Sequence, residues 1–339
     1  AGTTLETSIP RIEQLWQYGV GSILDYAVEA QKSEVGYNAC MEQVLAAIEF
    51  ARHREEVSYI AVKLTGLGSF AIMEKAQQTG GELHGYDKIQ YDHIIERLDT
   101  LCQAAADAGQ ALLVDAEESW IQQTIDQIVE QMMAKYNKER AIVYTTVQMY
   151  RHDRLDYLKE LFLGMRRRHV IPAVKLVRGA YLEKENARAH QLKYPTPLNT
   201  TKAATDQLFN EAALYILERL DKFAVCAGTH NEESCRLMAQ YTRDHKIAPD
   251  HAHLVFSQLY GMSDHLTFNL SQYGFRTAKY LPYGPLEAVL PYLFRRAQEN
   301  SSIAGQSGRE LTLINEELHR RRRSAALRPE SYQLGHPPV

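Results

Sequence analysis

Strand-like and helix-like stretches alternate along most of this chain, and this alternation is the feature that most restricts its fold. Short apolar stretches of strand character stand between helical stretches of about 12–20 residues. Connections of that length favour parallel strands, because a helix must carry the chain back to the start of the next strand. The pattern predicts an α/β fold built as a (β/α)8 barrel. The seven predicted strands are 58–64, 111–114, 141–147, 172–177, 223–227, 253–257 and 275–281.

The eighth strand of the barrel is not evident from the sequence, and Ser301–Ala304 is a weak candidate. The first part of the chain is predicted to be helical over 11–30, with a break at Gly19 and Gly21 and a second helix that Ser22 caps. The resulting division places an N-terminal helical segment at 1–56, the barrel at 57–310, and a C-terminal helix with a mobile tail at 311–339.

Composition excludes several classes of protein. Apolar residues make up 45% of the 339 residues, which is ample for a packed core. The net charge of −4 and the pI near 6.4 argue against a dedicated nucleic-acid binder. No apolar run reaches the roughly 18 residues of a membrane span, and no signal peptide is evident. The four cysteines show no CxxC spacing, which favours a reducing compartment and hence a cytoplasmic protein.

Every predicted strand ends in a polar side chain. Any one of these residues could simply cap a strand. In a (β/α)8 barrel, however, the carboxyl ends of all strands meet at one mouth, where active sites lie. The pattern therefore favours a shared site, formed by Lys63, Asp115, Gln148, Lys175 with Arg178, Thr229 with His230, Gln258 and Tyr280.

Two lysines, Lys63 and Lys175, lie at the ends of or inside predicted strands. A lysine buried in a barrel is costly unless its charge is paired. Paired structural charge, a Schiff-base amine and a cation facing an anion or a cofactor all satisfy this condition, and the sequence leaves the three open.

A further helix is predicted to begin at Pro285, where the missing N–H costs nothing. The polar side of this helix allows two interpretations. It could be a solvated helix face with an Arg–Glu pair, or a clamp for a small carboxylate, since neighbouring Arg side chains grip planar anions in a bidentate way. Helical geometry at about 100° per residue places on one arc Tyr292, Arg295, Arg296 and Glu299.

Other motifs carry little weight. Gly66–Ala71 matches the dinucleotide fingerprint GxGxxA, but the next convincing strand begins only at Ala111, so the βαβ context is missing. None of the 13 histidines lies in an HExxH motif, and no metal site is predicted. No GxSxG is present, so nothing supports a serine hydrolase of the α/β type.

Four stretches, taken together, resemble the proline dehydrogenase family. They are DAEES (115–119), KLVRGAYLEKENARA (175–189), GTHN (228–231) and YLPYGPLEAVLPYLFRRAQEN (280–300). The stretch LDYAVEA (24–30) near the N-terminus also resembles the family. The resemblance implies a distorted (β/α)8 barrel that binds FAD at the carboxyl ends of the strands. It also implies oxidation of L-proline to Δ1-pyrroline-5-carboxylate, with electrons passed to a membrane quinone.

The resemblance also assigns substrate-binding residues. Arg295 and Arg296 match the pair that binds the proline carboxylate, with Lys63 assisting, and Asp115 matches an acid near the active site. Glu29 matches a glutamate that pairs with the first arginine of the clamp. The aromatic residues expected against the proline ring are Tyr280 and Tyr292.

The cofactor contacts follow from the same resemblance. Bacterial bifunctional members read RLVKGAY where this chain reads KLVRGAY, so Lys175 replaces an arginine beside the flavin. Mitochondrial members also have lysine there. The remaining residues expected to contact FAD are Gln148, Val177, Arg178, Gly179, Ala180, Thr229, His230 and Glu299.

Rival functions remain open from the sequence. Hydroxyproline oxidation is the nearest, although a bulky Tyr280 beside the ring favours unsubstituted proline on steric grounds. A Schiff-base lyase on the same barrel and a non-catalytic barrel that binds an anionic partner are the others. A monofunctional enzyme is expected in the cytoplasm, peripherally on the inner face of the membrane, or alternatively in the mitochondrial matrix.

Overall fold

The structure is a computed structural model that describes residues 2–27, 31–285, 289, 315–316 and 318–321. Eight parallel strands close into a barrel in the order of the chain, which confirms the predicted (β/α)8 fold. Each of the seven predicted strands overlaps an observed one. The strands are β1 Val20–Tyr26, β2 Val57–Val62, β3 Ala111–Val114, β4 Val143–Gln148, β5 Ala173–Val177, β6 Ala224–Gly228, β7 Leu254–Leu259 and β8 Thr277–Tyr283.

Helices connect the strands and cover the outside of the barrel. Side-chain caps mark where several of them begin: Ser33 accepts a hydrogen bond from the backbone N–H of Gly36, and Asn231 accepts one from that of Ser234. The helices are α1 Leu5–Trp16, α2 Glu34–Ala51, α3 Phe70–Gln78, α4 Gly85–Ala108, α5 Ser119–Tyr136, α6 Arg154–Arg167, α7 Leu182–Leu192, α8 Lys202–Leu217, α9 Glu232–Asp244 and α10 Asp264–Gln272.

The missing eighth strand is β1. The prediction of helix over 11–30 was therefore wrong for Val20–Tyr26, and residues 28–30 lie outside the described residues. Residues Val20–Tyr26 pair with β8 on one side and with β2 on the other. A short apolar run carries no periodicity that separates strand from helix, so pairing at both edges decides its conformation. A barrel strand therefore lies inside the stretch 1–56, and the candidate Ser301–Ala304 lies outside the described residues.

Other boundaries differ less. Strand β8 continues through Pro282, where the sequence predicted its end, and α3 was not predicted. The GxGxxA segment, 66–71, begins at the last residue of a short 3-10 turn, Leu64–Gly66, and ends in the first turn of α3, within a closed barrel. The dinucleotide fold is thereby excluded for these residues.

Side chains alternate between the inside of the barrel and the layer under the helices. Outward-facing Ile60 and Val62 on β2 belong to the main hydrophobic core. Inward-facing Tyr59 meets Tyr144 across β3, with ring centroids 5.3 Å apart at 81°. These two rings lie in the amino-terminal half of the barrel interior, and polar groups lie in the other half.

Residues 1–289 form one compact unit, which contains the barrel, and residues 290–339 form a second. Few positions of the second unit are described, so the predicted boundary at 310 and the tail at 311–339 stay predictions. No helix among the described residues is long and apolar enough to cross a membrane.

Candidate active site

A charged cluster at the carboxyl ends of the strands centres on Asp115. Its Oδ1 accepts a hydrogen bond from the Lys175 ammonium, and its Oδ2 accepts one of 2.7 Å from the Tyr280 hydroxyl. The Nζ of Lys63 lies 3.7 Å from the same Oδ2. The fold therefore brings together four of the residues that the sequence predicted to share a site at the barrel mouth.

Strand geometry explains why these side chains converge. Lys175 lies inside β5, and its neighbours Val174 and Leu176 face the outer core, so Lys175 faces inward. Asp115 directly follows β3, and its backbone N–H donates to the carbonyl of Val62 on β2. The Lys175 Nζ also lies 5.0 Å from the centroid of the Tyr280 ring, close enough for a cation–π interaction.

Electrostatics keeps Asp115 ionised. Burial alone would raise its pKa, but Lys175, Lys63 and the hydrogen bond from Tyr280 together lower the pKa below its ordinary value. An ionised carboxylate in contact stabilises an ammonium, whereas Schiff-base chemistry needs a free amine. The pairing thus favours Lys175 as a fixed cation over Lys175 as a nucleophile.

Two buried acids beside this cluster were missed by the sequence reasoning. Asp25 on β1 is 1% exposed, and its Oδ2 lies 3.8 Å from the Lys63 Nζ. Glu117, in the loop after β3, accepts hydrogen bonds from the backbone N–H (3.1 Å) and the hydroxyl (2.5 Å) of Thr65. Both lie in stretches that resemble the family, LDYAVEA and DAEES, which is the signal that could have drawn attention to them.

Glu117 joins three strand ends. Its carboxylate holds Thr65 after β2, and its backbone carbonyl accepts a 2.8 Å hydrogen bond from the Gln148 Nε2 of β4. Its backbone N–H donates to the Gln122 Oε1 at 2.8 Å. Burial raises the pKa of Glu117 to about 7, against the hydrogen bonds from Thr65 that lower it.

The predicted flavin contacts form a second group on the same rim, around the turn after β5. The backbone N–H of Ala180 donates to the Gln148 Oε1 at 3.3 Å, so the carboxamide of Gln148 is held at both ends. Gly179 has φ +138°, and a Cβ there would lie 2.5 Å from the ring of Tyr150. Gly179 and Ala180 are exposed, while Val177 is half-buried.

The side chain of Arg178 ties neighbouring elements together. Its guanidinium donates to the Asp206 Oδ1 (2.6 Å), the Thr229 Oγ1 (2.7 Å) and the Ser234 Oγ (2.9 Å). It also lies over the ring of Phe209, 4.4 Å from the centroid. The Arg178 side chain therefore links the segment after β5 to the segment after β6.

Thr229 and His230 follow β6 and are anchored to the next strand. The Gln258 Nε2 donates to the carbonyl of Thr229 at 3.0 Å. The His230 Nδ1 lies 3.0 Å from the Ser263 Oγ. Gln258, which the sequence placed among the site residues, uses its amide to hold this segment.

Several predicted site residues lie outside the described residues, so the structure does not test them. They are Glu29, Tyr292, Arg295, Arg296 and Glu299. No cluster of three or more His, Cys, Asp or Glu side chains that could hold a metal ion is present in the described part of the chain.

Comparison with known proteins identifies the family. A family model described as proline dehydrogenase matches residues 8–309. The carbapenem antibiotics biosynthesis protein CarD of Pectobacterium carotovorum subsp. carotovorum is 35% identical over 320 residues, covering 94% of this chain and 82% of that protein. The mitochondrial proline dehydrogenase 1 of Homo sapiens is 37% identical over 244 residues, covering 71% of this chain and 41% of that protein.

Solved structures agree on the fold. Proline utilization A (PutA) from Bdellovibrio bacteriovorus, in a crystal structure of the protein inactivated by N-propargylglycine, superposes with a TM-score of 0.79 at 22% identity. The match covers 89% of this chain and 32% of that one. The chain thus spans less than half the length of this protein and of the human relative. The family match over residues 8–309, with relatives above 30% identity over most of the chain, shows that the chain belongs to the proline dehydrogenase family.

Proposed function

We propose that the chain oxidises L-proline to Δ1-pyrroline-5-carboxylate with FAD as the hydride acceptor, and that a membrane quinone takes the electrons. The observation that carries the proposal is the contact of Lys63, Asp115, Lys175 and Tyr280 at the barrel mouth. It stands in a chain whose residues 8–309 match the proline dehydrogenase model. Peripheral contact with a membrane belongs to the same proposal, as does a location in the cytoplasm or the mitochondrial matrix.

The residues present on the rim suit a flavin. A flavin needs amide or backbone groups for its polar ring edge and a cation where negative charge develops. The chain offers the carboxamide of Gln148, the exposed backbone of Gly179 and Ala180, and the buried ammonium of Lys175. Thr229 and His230 lie on the same rim, after β6, where they would hold more distant parts of FAD. When bound, FAD supplies the hydride-accepting chemistry.

The chain's own residues bind and orient the substrate. The ring of Tyr280 is held in place because its hydroxyl donates a hydrogen bond to Asp115 and the Lys175 ammonium lies over its face. It therefore gives a small substrate ring a rigid surface to pack against. Such positioning is the main contribution that a protein makes to a cofactor reaction. Lys63 supplies a cation for the substrate carboxylate, and Arg295 and Arg296 complete the clamp, with Tyr292 against the ring. Glu29 and Glu299 keep the roles that the resemblance gives them.

The direct test is the visible spectrum of the purified protein under anaerobic conditions. L-proline should bleach the flavin absorbance near-completely, and a soluble quinone should restore it. Bleaching by hydroxyproline should be slower, because the ring of Tyr280 leaves less room for the extra hydroxyl. A colourless protein, or a substrate adduct trapped by borohydride in its place, would contradict the proposal.

The clamp is tested with a ring that keeps the carboxylate and cannot react, tetrahydrofuran-2-carboxylate. Titration against the flavin spectrum should show weaker binding to Arg295→Met and Arg296→Met, by about 2–5 kcal/mol for a lost charge partner. An exposed Arg–Glu pair on a helix would cost about 0.3–0.5 kcal/mol. Binding equal to that of the wild type would place the arginines on a solvated surface.

A further inference from the structure

Asp25 is a buried acid beside Lys63 at the barrel mouth. It is 1% exposed on β1, level with Ala61 of β2 and Pro282 of β8. Side chains two residues apart on a strand share a face, so Ala61 and Lys63 point to the same side. The Lys63 ammonium then comes within 3.8 Å of the Asp25 Oδ2.

Lys63 stands between two carboxylates at nearly equal distances. Its Nζ lies 3.8 Å from Asp25 and 3.7 Å from Asp115, and its side chain is 11% exposed. At these separations, with the side chains mostly buried, the attraction within each ion pair is stronger than it would be on the surface. The position of the ammonium therefore depends on both acids.

Asp115 is already shared among several donors. Its Oδ1 contacts Lys175, and its Oδ2 accepts the hydroxyl of Tyr280 while facing Lys63. Asp25 adds a second carboxylate within ion-pair distance of the Lys63 ammonium. Glu117 is a third acid near enough to interact with Lys63.

We propose that Asp25 is a positioning residue that holds the Lys63 ammonium in place and keeps it protonated beside Asp115. Lys63 then presents a fixed positive charge to an anionic ligand at the barrel mouth. The negative charge of Asp25 offsets the free-energy cost of burying the Lys63 ammonium. The role of Lys63 toward the substrate rests on the proposed function. The effect of Asp25 on the protonation of Lys63 is independent of that function.

The test measures the titration of Lys63 in Asp25→Asn, which keeps the shape and removes the charge. Trace labelling with acetic anhydride over a range of pH, read by mass spectrometry of the peptide that carries Lys63, gives the pKa of its amine. An opposite charge at this distance shifts a pKa by about 1–3 units, so the pKa of Lys63 should fall by that amount. An unchanged pKa would overturn the proposal.

Two further variants separate charge from packing. Ser22→Ala, on the same strand, removes a buried hydroxyl that has no hydrogen-bond partner among the described residues, and should leave the Lys63 titration unchanged. Asp25→Glu keeps the charge and should keep most of the effect. If Ser22→Ala lowers the pKa of Lys63 as much as Asp25→Asn does, general loosening of β1 is the cause and the proposal fails.

Folding of the variants offers an independent readout. If Asp25→Asn is too unstable to label, Asp25→Asn/Lys63→Met should regain stability, since the second substitution removes the ammonium that lost the Asp25 carboxylate. A double variant no more stable than Asp25→Asn would count against the pair. These outcomes are read without proline, so they remain decisive even if L-proline fails to bleach the wild-type flavin.

Discussion

The two ends of the barrel interior are built by the same eight strands but hold opposite kinds of side chain. The amino-terminal half contains neutral groups, of which Tyr59 and Tyr144 pack edge to face. The carboxyl-terminal end holds two lysines and two aspartates within ion-pair distance. Packing at the amino-terminal end stabilises the fold. Burial of charged groups at the carboxyl-terminal end lowers stability but places those groups where a barrel has its active site.

The contrast extends to how each end is held. The neutral half relies on side chains that touch across the interior. At the charged end, loops are linked by single residues, such as Glu117 between β2, β3 and β4, and Arg178 between β5 and β6. Substitutions at the charged end should therefore change cofactor and substrate chemistry, whereas those at the neutral end should change stability alone.

The largest effect is expected for Gly179→Ala. Its φ of +138° suits glycine, and the added Cβ would overlap the buried ring of Tyr150. Strain and overpacking together should cost about 2–6 kcal/mol, seen as a lower urea midpoint and loss of bound flavin. Gly164→Ala is the control, because its Cβ meets nothing within 4 Å and alanine favours helix α6 by about 0.5–1 kcal/mol. Equal effects of the two substitutions would show that the turn is not specially constrained.

Lys175→Met should slow flavin reduction and raise its activation free energy by about 2–4 kcal/mol. Removal of one group that stabilises developing charge has an effect of this size. Single-turnover reduction by proline in flavin-replete protein measures it. Lys279→Met is the matched control: Lys279 is also buried, but it donates to the Met262 carbonyl and pairs with Asp264. Lys279→Met should lower stability and leave the reduction rate unchanged. Similar reduction rates in the two variants would remove the distinction between a site lysine and a structural one.

Glu117→Gln should change the pH dependence of stability. Between the ordinary pKa of 4.5 and the folded value of about 7, the folded protein keeps a proton that the unfolded chain has lost. Wild-type stability therefore falls as pH rises through this window. At 1.36 kcal/mol per pKa unit, the wild type should lose up to about 2–3 kcal/mol relative to Glu117→Gln from pH 5 to pH 8.

Urea unfolding at several pH values is the measurement. The exposed Glu233→Gln on α9 is the control, since it removes a carboxylate that water already solvates. A Glu117→Gln curve parallel to that of the wild type would show that Glu117 is ionised throughout.

The smallest effect is expected at the neutral end. Tyr59→Phe keeps the edge-to-face contact with Tyr144 and loses one hydroxyl, so stability should change by about 1 kcal/mol. The rate of flavin reduction should stay within experimental error of the wild type. A marked loss of reduction rate in a stable Tyr59→Phe protein would mean that the two ends are not separate in function.

The sequence predicted the barrel because its strands and helices have strong, repeated patterns. It did not predict β1, since VGSILDY is short and runs into AVEAQ, which continues a helical pattern. The conformation of β1 depends on β2 and β8, and no local signal contains that pairing.

The sequence allowed us to predict which residues form the candidate site, but not which of them contact each other. Strand-end positions indicated Lys63, Asp115, Lys175 and Tyr280, because parallel strands end on one side. That Lys175 pairs with Asp115, 60 residues away, required the register of the barrel. Asp25 was missed for the same reason as β1: a residue thought to lie on a helix is not expected at the barrel mouth.

Closure of the barrel joins β1 to β8, from Val20 with Thr277 to Tyr26 with Tyr283. A ribosome that adds about 5–20 residues per second releases β1 tens of seconds before the roughly 250 residues that separate the two strands are complete. During that interval one edge of an apolar strand has no neighbour, an arrangement that promotes pairing between chains. The nascent chain is therefore most prone to aggregate before its last barrel strand is made, and segment 20–26 is where a chaperone would protect it.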